Sequence, residues 1–188
     1  MNIQSISMIP RSGAHRKEYI HTCFNLKQVL NMKNGKKNKK QIEIVINEKV
    51  QVRGKLNNKK NTLTDDCLAD IVDSIYYNLC FTYVEGVGDV ESQGFIELYS
   101  GETLVKSLPF APANVSIEDI TNGQRITIQV IDDSTDEYTF DNLKLKTASS
   151  GHRMENPPTY YAVATVGSTT KPADQSLKIT WRIAVTKT

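Results

Sequence analysis

The sequence predicts a mainly β protein: an antiparallel β-sandwich or barrel with one short amphipathic helix and a basic N-terminal extension. Three observations carry that reading. Strings of alternating apolar and polar residues recur along the chain, most cleanly at Ile126, Ile128 and Val130 and at Leu177, Ile179, Trp181, Ile183 and Val185. A period of two is that of a strand with one buried face. Turn pairs such as Asn34-Gly35, Ser100-Gly101 and Asn122-Gly123 fall between apolar strings, and Asn-Gly suits the positive φ angles of a tight hairpin turn. One window alone, about 64–77, has convincing helical spacing.

The elements follow in order. Ile3, Ile6, Met8 and Ile9 are apolar without a clean period, and Pro10 and Gly13 break the run. A strand is expected within 19–30, anchored by Ile20, Phe24 and Leu26. The stretch 33–40 then holds five lysines around Asn34-Gly35, so those lysines must point to solvent or to an anion. From Gln41, Ile42, Ile44 and Ile46 alternate with polar neighbours. Asn47-Glu48-Lys49 is expected to turn the chain, and Val50 and Val52 to continue as the second arm of a hairpin. Residues 54–61 read as a polar loop.

Thr64 is a good N-cap, because its hydroxyl oxygen can accept from a first-turn N–H. Asp65 and Asp66 sit where the helix dipole favours negative charge. Leu68, Ile71, Val72 and Ile75 make one apolar stripe, with Asp70 and Asp73 facing away. Beyond the helix, strands are expected at 81–84, 95–99 and 103–108, the last ended by Pro109 and Pro112. Residues 85–89 read as a loop. Val115 and Ile117 lead into the Asn122-Gly123 hairpin. Tyr138, Phe140, Leu143 and Leu145 supply one or two further strands. Residues 149–158 read as a loop, and 160–166 and 177–185 as the closing strands. The domain division expected is an arm at 1–40 and a sandwich with one helix at 41–188. Many short strands with regular turns favour a sandwich or barrel.

Charge divides the chain more sharply than the net +2 suggests. Residues 1–60 hold 14 Lys and Arg against 3 Asp and Glu, and 61–188 hold 9 against 18. A segment of +11 therefore precedes a remainder of −9. A basic segment seeks nucleic acid, an anionic surface or an acidic neighbour. Here the same chain carries the acidic partner, either in its own body or in that of another copy. Contact with another copy makes a head-to-tail assembly. The lysine-rich turn lacks interleaved aromatics for base stacking, so its pull on nucleic acid is electrostatic only. Nucleic acid is thus the weaker partner.

Several chemistries lack their residues. No window approaches 18 consecutive apolar residues, so no transmembrane helix and no membrane partner are expected. Residues 1–10 lack a charged segment followed by an apolar one, so no secretory leader is expected there. Cys23, Cys67 and Cys80 match no zinc or redox spacing; Cys67 and Cys80 read as small buried hydrophobes. His15, His21 and His152 join no metalloprotease motif, and no nucleophile elbow, P-loop or dinucleotide fingerprint is present. The run Asp132-Asp133-Ser134-Thr135-Asp136-Glu137 could offer oxygen ligands to a hard cation. It lacks the EF-hand spacing and glycine, so a solvated turn is the better reading. No cofactor, no metal and no catalytic activity are expected. Tyr160 and Tyr161 are adjacent, so in a strand one faces the core and one the surface.

Some segments resemble a group of tailed-phage virion proteins. They are Asn61-Thr62-Leu63-Thr64-Asp65-Asp66 with its helix, the strand Phe81-Thr82-Tyr83, the strand from Tyr138 to Leu145, and the closing run from Lys171 through a polar turn to Leu177-Lys178-Ile179-Thr180-Trp181-Arg182-Ile183. The likeness covers about 61–188. It implies a non-enzymatic β-sandwich in a virus particle, assembled in the host cytoplasm and associated with the tail, its fibres or the capsid exterior. Its partners would be copies of itself and neighbouring virion proteins. The contact residues expected are Lys36, Lys37, Lys39 and Lys40, meeting the acidic run at Asp132, Asp133, Asp136 and Glu137. A carbohydrate- or receptor-binding module at a fibre tip is the alternative, and it needs a surface cluster of aromatic rings.

Overall fold

The structure is a computed structural model. It describes 41–52, 64–148 and 160–187 in full, and the backbone of five short strands: β1 (Ser5–Ile6), β2 (Ile20–His21), β3 (Val29–Lys33), β5 (Gly54–Leu56) and β6 (Lys59–Asn61). The remaining elements are β4 (Gln41–Val52), α1 (Asp65–Cys80), β7 (Phe81–Val84), β8 (Gly88–Glu91), β9 (Gly94–Ser100), β10 (Thr103–Phe110), β11 (Val115–Ile120), β12 (Gly123–Asp132), β13 (Tyr138–Lys146), β14 (Tyr160–Lys171) and β15 (Ser176–Lys187).

Among the described residues two large open sheets face each other, with one α-helix, as the alternating patterns predict. The first runs β1-β2-β4-β15-β12-β11, with β3 also pairing β4. The second runs β10-β9-β13-β14 and is antiparallel throughout. Alternation sends Ile42, Ile44, Ile46, Ile126, Ile128, Ile179, Trp181 and Ile183 inward from the first sheet. Ile96, Leu98, Phe140, Leu143 and Leu145 meet them from the second, in one continuous core. Trp181 is fully buried, as its register in the last strand predicts.

The hairpin expected within 41–52 does not form. β4 is a single strand of 12 residues that pairs in parallel with β15 along its whole length, from Gln41 opposite Ser176 to Val52 opposite Lys187. Asn47-Glu48-Lys49 is polar but contains no residue that must break a strand. Its alternation continues in phase, so Asn47 and Lys49 face outward and Glu48 faces the core. The partner that holds β4 straight lies at the far end of the sequence, where local turn reasoning cannot see it.

The helix starts as read. The Thr64 Oγ1 accepts from the Cys67 N–H at 3.2 Å. It runs to Cys80 rather than stopping near Tyr77, because Leu79 continues the stripe of Ile71, Val72 and Ile75 and is itself fully buried. Cys80 is buried and Cys67 half-buried, and both are free thiols. The helix bridges one open end of the sandwich. Its first residue, Asp65, pairs with Lys187 at the end of β15 in the first sheet. Near its other end the Ala148 N–H, just past β13 of the second sheet, donates to the Asn78 carbonyl at 3.1 Å.

Pro109 lies inside β10 rather than ending it. The strand is an edge, so the missing N–H costs no ladder bond to a second neighbour. The β11–β12 turn uses Asn122 at φ 60°, while Gly123 serves a different purpose. A Cβ on Gly123 would lie 2.0 Å from the Val185 carbonyl oxygen, which belongs to the central strand. Backbone cannot retreat as a side chain can. Gly123→Ala is therefore expected to cost roughly 2–3 kcal/mol, or about 5–10 °C in thermal unfolding. A melting temperature within a degree of wild type would contradict this packing.

Candidate interaction surface

The acidic run predicted as a contact surface lies between β12 and β13, where the chain crosses from one sheet to the other. It lies at the opposite end of the sandwich from the helix. Its first carboxylate is not available at the surface. Asp132 is in phase with Ile126, Ile128 and Val130, and is buried. The Tyr138 hydroxyl donates to its Oδ2 at 2.6 Å, and the Ser134 N–H donates to its Oδ1 at 3.0 Å. Burial opposes the charge on Asp132, but these hydrogen bonds and the nearby Lys106 outweigh it and hold the carboxyl below its ordinary range. Tyr138 is pushed the other way, by burial first and then by its bond to Asp132.

Beneath this loop lies Lys171, the last residue of β14 and fully buried. Its ammonium donates to the Ser134 carbonyl at 2.7 Å and to the Asp136 carbonyl at 3.0 Å. It stands 4.0 Å from the Asp132 carboxylate and 5.6 Å from the centre of the Tyr138 ring. A buried cation must be paired and hydrogen-bonded, and here the loop curls its carbonyls around one. Asp136 is exposed and pairs with Lys106 at 2.6 Å. That contact holds the Asp136 carboxyl down and raises Lys106. Asp133 and Glu137 are exposed. The run is thus an internally tied crossing, with Asp133, Asp136 and Glu137 on its outer side. Lys36, Lys37, Lys39 and Lys40 lie outside the described residues. The strands on either side of them, β3 and β4, pair with each other antiparallel, Lys33 opposite Gln41.

Sequence reading missed Lys171 because the phase of β14 changes before it is reached. Gly167 takes φ 69°, and the register with β13 shifts between Phe140 and Asn142. Glu48 was missed for the opposite reason, since its phase does not change. It sits 5 % exposed among the inward residues of β4. Burial pushes its carboxyl up to about 8, against the pull of the Trp181 indole N–H. Neither Glu48 Oε1 nor Trp181 Nε1 has a hydrogen-bond partner of normal geometry. From β14, Tyr161 packs against the core, and its hydroxyl is raised by burial and by the charge of Glu48.

Tyr160 and Tyr161 do face opposite sides. Tyr160 lies on the outer face of the second sheet, its hydroxyl 3.0 Å from that of Tyr99. Tyr99 donates to Glu97 at 2.8 Å, and Lys146 reaches the same carboxylate at 3.0 Å. The Lys144 ammonium stands 3.9 Å from the Tyr99 ring centre and 5.0 Å from that of Tyr160. This is a closed network of cation, ring and carboxylate in which Tyr99 is buried.

Elsewhere, a shallow groove of about 510 Å³ runs beside the edge strand β11, lined by Ala113, Asn114, Ser116, Thr127, Gln129 and Ile131 among others. No group of three or more His, Cys, Asp or Glu side chains is placed to hold a metal among the described residues. Among them, too, no helix is long and apolar enough to cross a membrane. Compared with protein-family models, curated proteins and solved structures, the chain matches none.

Proposed function

We propose that this protein is a non-enzymatic structural subunit of a virus particle of the tailed-phage kind, assembling with copies of itself and with neighbouring virion proteins. The observation that carries the assembly reading is the division of charge. A first third of +11 is joined to a body of −9, so the favourable contact between copies is head to tail. A sandwich with a continuous core offers the basic stretch 1–40 a body that keeps its shape on docking. The placement in a virion rests on the resemblance of 61–188. Its segments fall on α1, the helix that bridges the sandwich end, on β7 beside it, and on β13 and β15, one strand from each main sheet.

The test reverses the charge of the basic turn. A variant carrying Lys36→Glu, Lys37→Glu, Lys39→Glu and Lys40→Glu is expected to lose assembly at physiological salt, read as a fall in light-scattering mass to that of the monomer. An assembly of unchanged mass would refute the basic turn as the contact.

A further inference from the structure

The hairpin formed by β7 and β8 stands apart from both main sheets. Among the described residues its two strands pair only with each other. Its base is well fixed. The Phe81 ring lies 4.7 Å from that of Tyr77 and 5.6 Å from that of Tyr76 on the helix, and the Ser92 N–H donates to the Cys80 carbonyl at 2.8 Å. Beyond that base the hairpin opens to solvent. From Tyr83 to Glu91 every residue except Gly88 is exposed.

Those exposed residues are of the wrong kind for a solvated turn. Alternation puts Thr82, Val84 and Val90 on one face, with Val87 at the tip. Val84 is 39 %, Val90 37 % and Val87 73 % exposed. The opposite face pairs Tyr83 with Asp89 and Phe81 with Glu91. Glu85, Asp89 and Glu91 are the charged side chains of 81–91, which holds no Lys or Arg. The hairpin therefore combines a β-branched apolar face, an acidic margin and two strand edges. A two-stranded ribbon is marginal alone, and contiguous exposed apolar surface marks a contact.

We propose that this hairpin is the acidic docking element that receives the basic stretch 1–40 of a second copy of the chain. Charge complementarity selects that occupant: a segment of −3 meets one with 9 Lys and Arg against 1 Glu, a net +8, from the same sequence. Strand addition at a free edge supplies main-chain bonds, and the valine face supplies apolar area. The acidic run at 132–137 is the poorer receiver, because Asp132 is buried and 133–137 form a loop that offers no strand edge. The inference rests on the assembly reading above and locates its contact.

The test compares wild type with a variant carrying Val84→Lys, Val87→Lys and Val90→Lys, using light scattering and thermal unfolding. The expected result is an oligomeric wild type and a folded variant of monomer mass. A monomeric wild type defeats the assembly reading and this proposal with it. An oligomeric variant overturns the hairpin alone. A photo-crosslinking residue at Val87 of the full chain, in a mixture of isotopically light and heavy protein, covers a variant that fails to fold. Mixed-isotope crosslinks into 1–40 are expected; crosslinks confined to one copy, or elsewhere on the partner, contradict the proposal.

Discussion

Replacing Lys171 with methionine is expected to destabilise the protein by about 3–5 kcal/mol, the usual cost of breaking a buried ionic arrangement from one side. Methionine is close in length and fills the space, so the loss is not one of packing. It comes from the groups left behind. The Ser134 and Asp136 carbonyls lose the donor that draws the loop inward. The buried Asp132 loses the cation 4.0 Å from it and keeps Tyr138, the Ser134 N–H and the nearby Lys106 as favourable partners. Urea unfolding measures this directly, because its midpoint moves with stability at constant slope. Adding Asp132→Asn to the variant is expected to recover part of the loss, since the orphaned charge is then removed. A loss below about 1 kcal/mol, the scale of an exposed pair, would show that Lys171 does not organise the crossing.

Glu48 gives the effect of opposite sign. Its folded value of about 8 lies above the ordinary 4.5, so the folded protein keeps a proton that the unfolded chain has released. Stability is then fully present below about 4.5, falls as pH rises toward about 8, and levels off above that value. Replacing Glu48 with glutamine removes the ionisation while keeping the shape. Glu48→Gln is expected to be more stable than wild type by about 2–4 kcal/mol at alkaline pH, and close to it at acid pH. Urea midpoints of the two proteins between acid and alkaline pH give the comparison. Parallel curves would mean that the carboxyl ionises in the fold without cost.

These two residues also mark where the sequence stops being legible. The helix, its cap, the Ser100-Gly101 and Asn122-Gly123 hairpins and the closing strand are all local: a period, a cap or a turn pair lies within a dozen residues. β4 is not local. Its straightness depends on β15, more than a hundred residues away, so a polar triplet read as a turn lies within a continuous strand and carries Glu48 into the core. Lys171 depends on a change of phase at Gly167, which no strand period reports. The acidic run is legible as acidic. That Asp132 points inward follows from its phase with Val130, a clue present in the alternation of β12. The acidic, valine-rich hairpin at 81–91 is written in the sequence as a strand and a loop. Its exposure appears only once both sheets have closed without it.

The central claim is assembly through unlike charges on copies of one chain. The most direct measurement is the light-scattering mass of the full chain as protein concentration and salt are varied, from about 0.1 to about 1 M salt, over which the screening length falls from about 10 to about 3 Å. The result expected is an oligomer at low salt that dissociates toward the 21.1 kDa monomer as salt rises. A mass of 21.1 kDa at every concentration and every salt would contradict it.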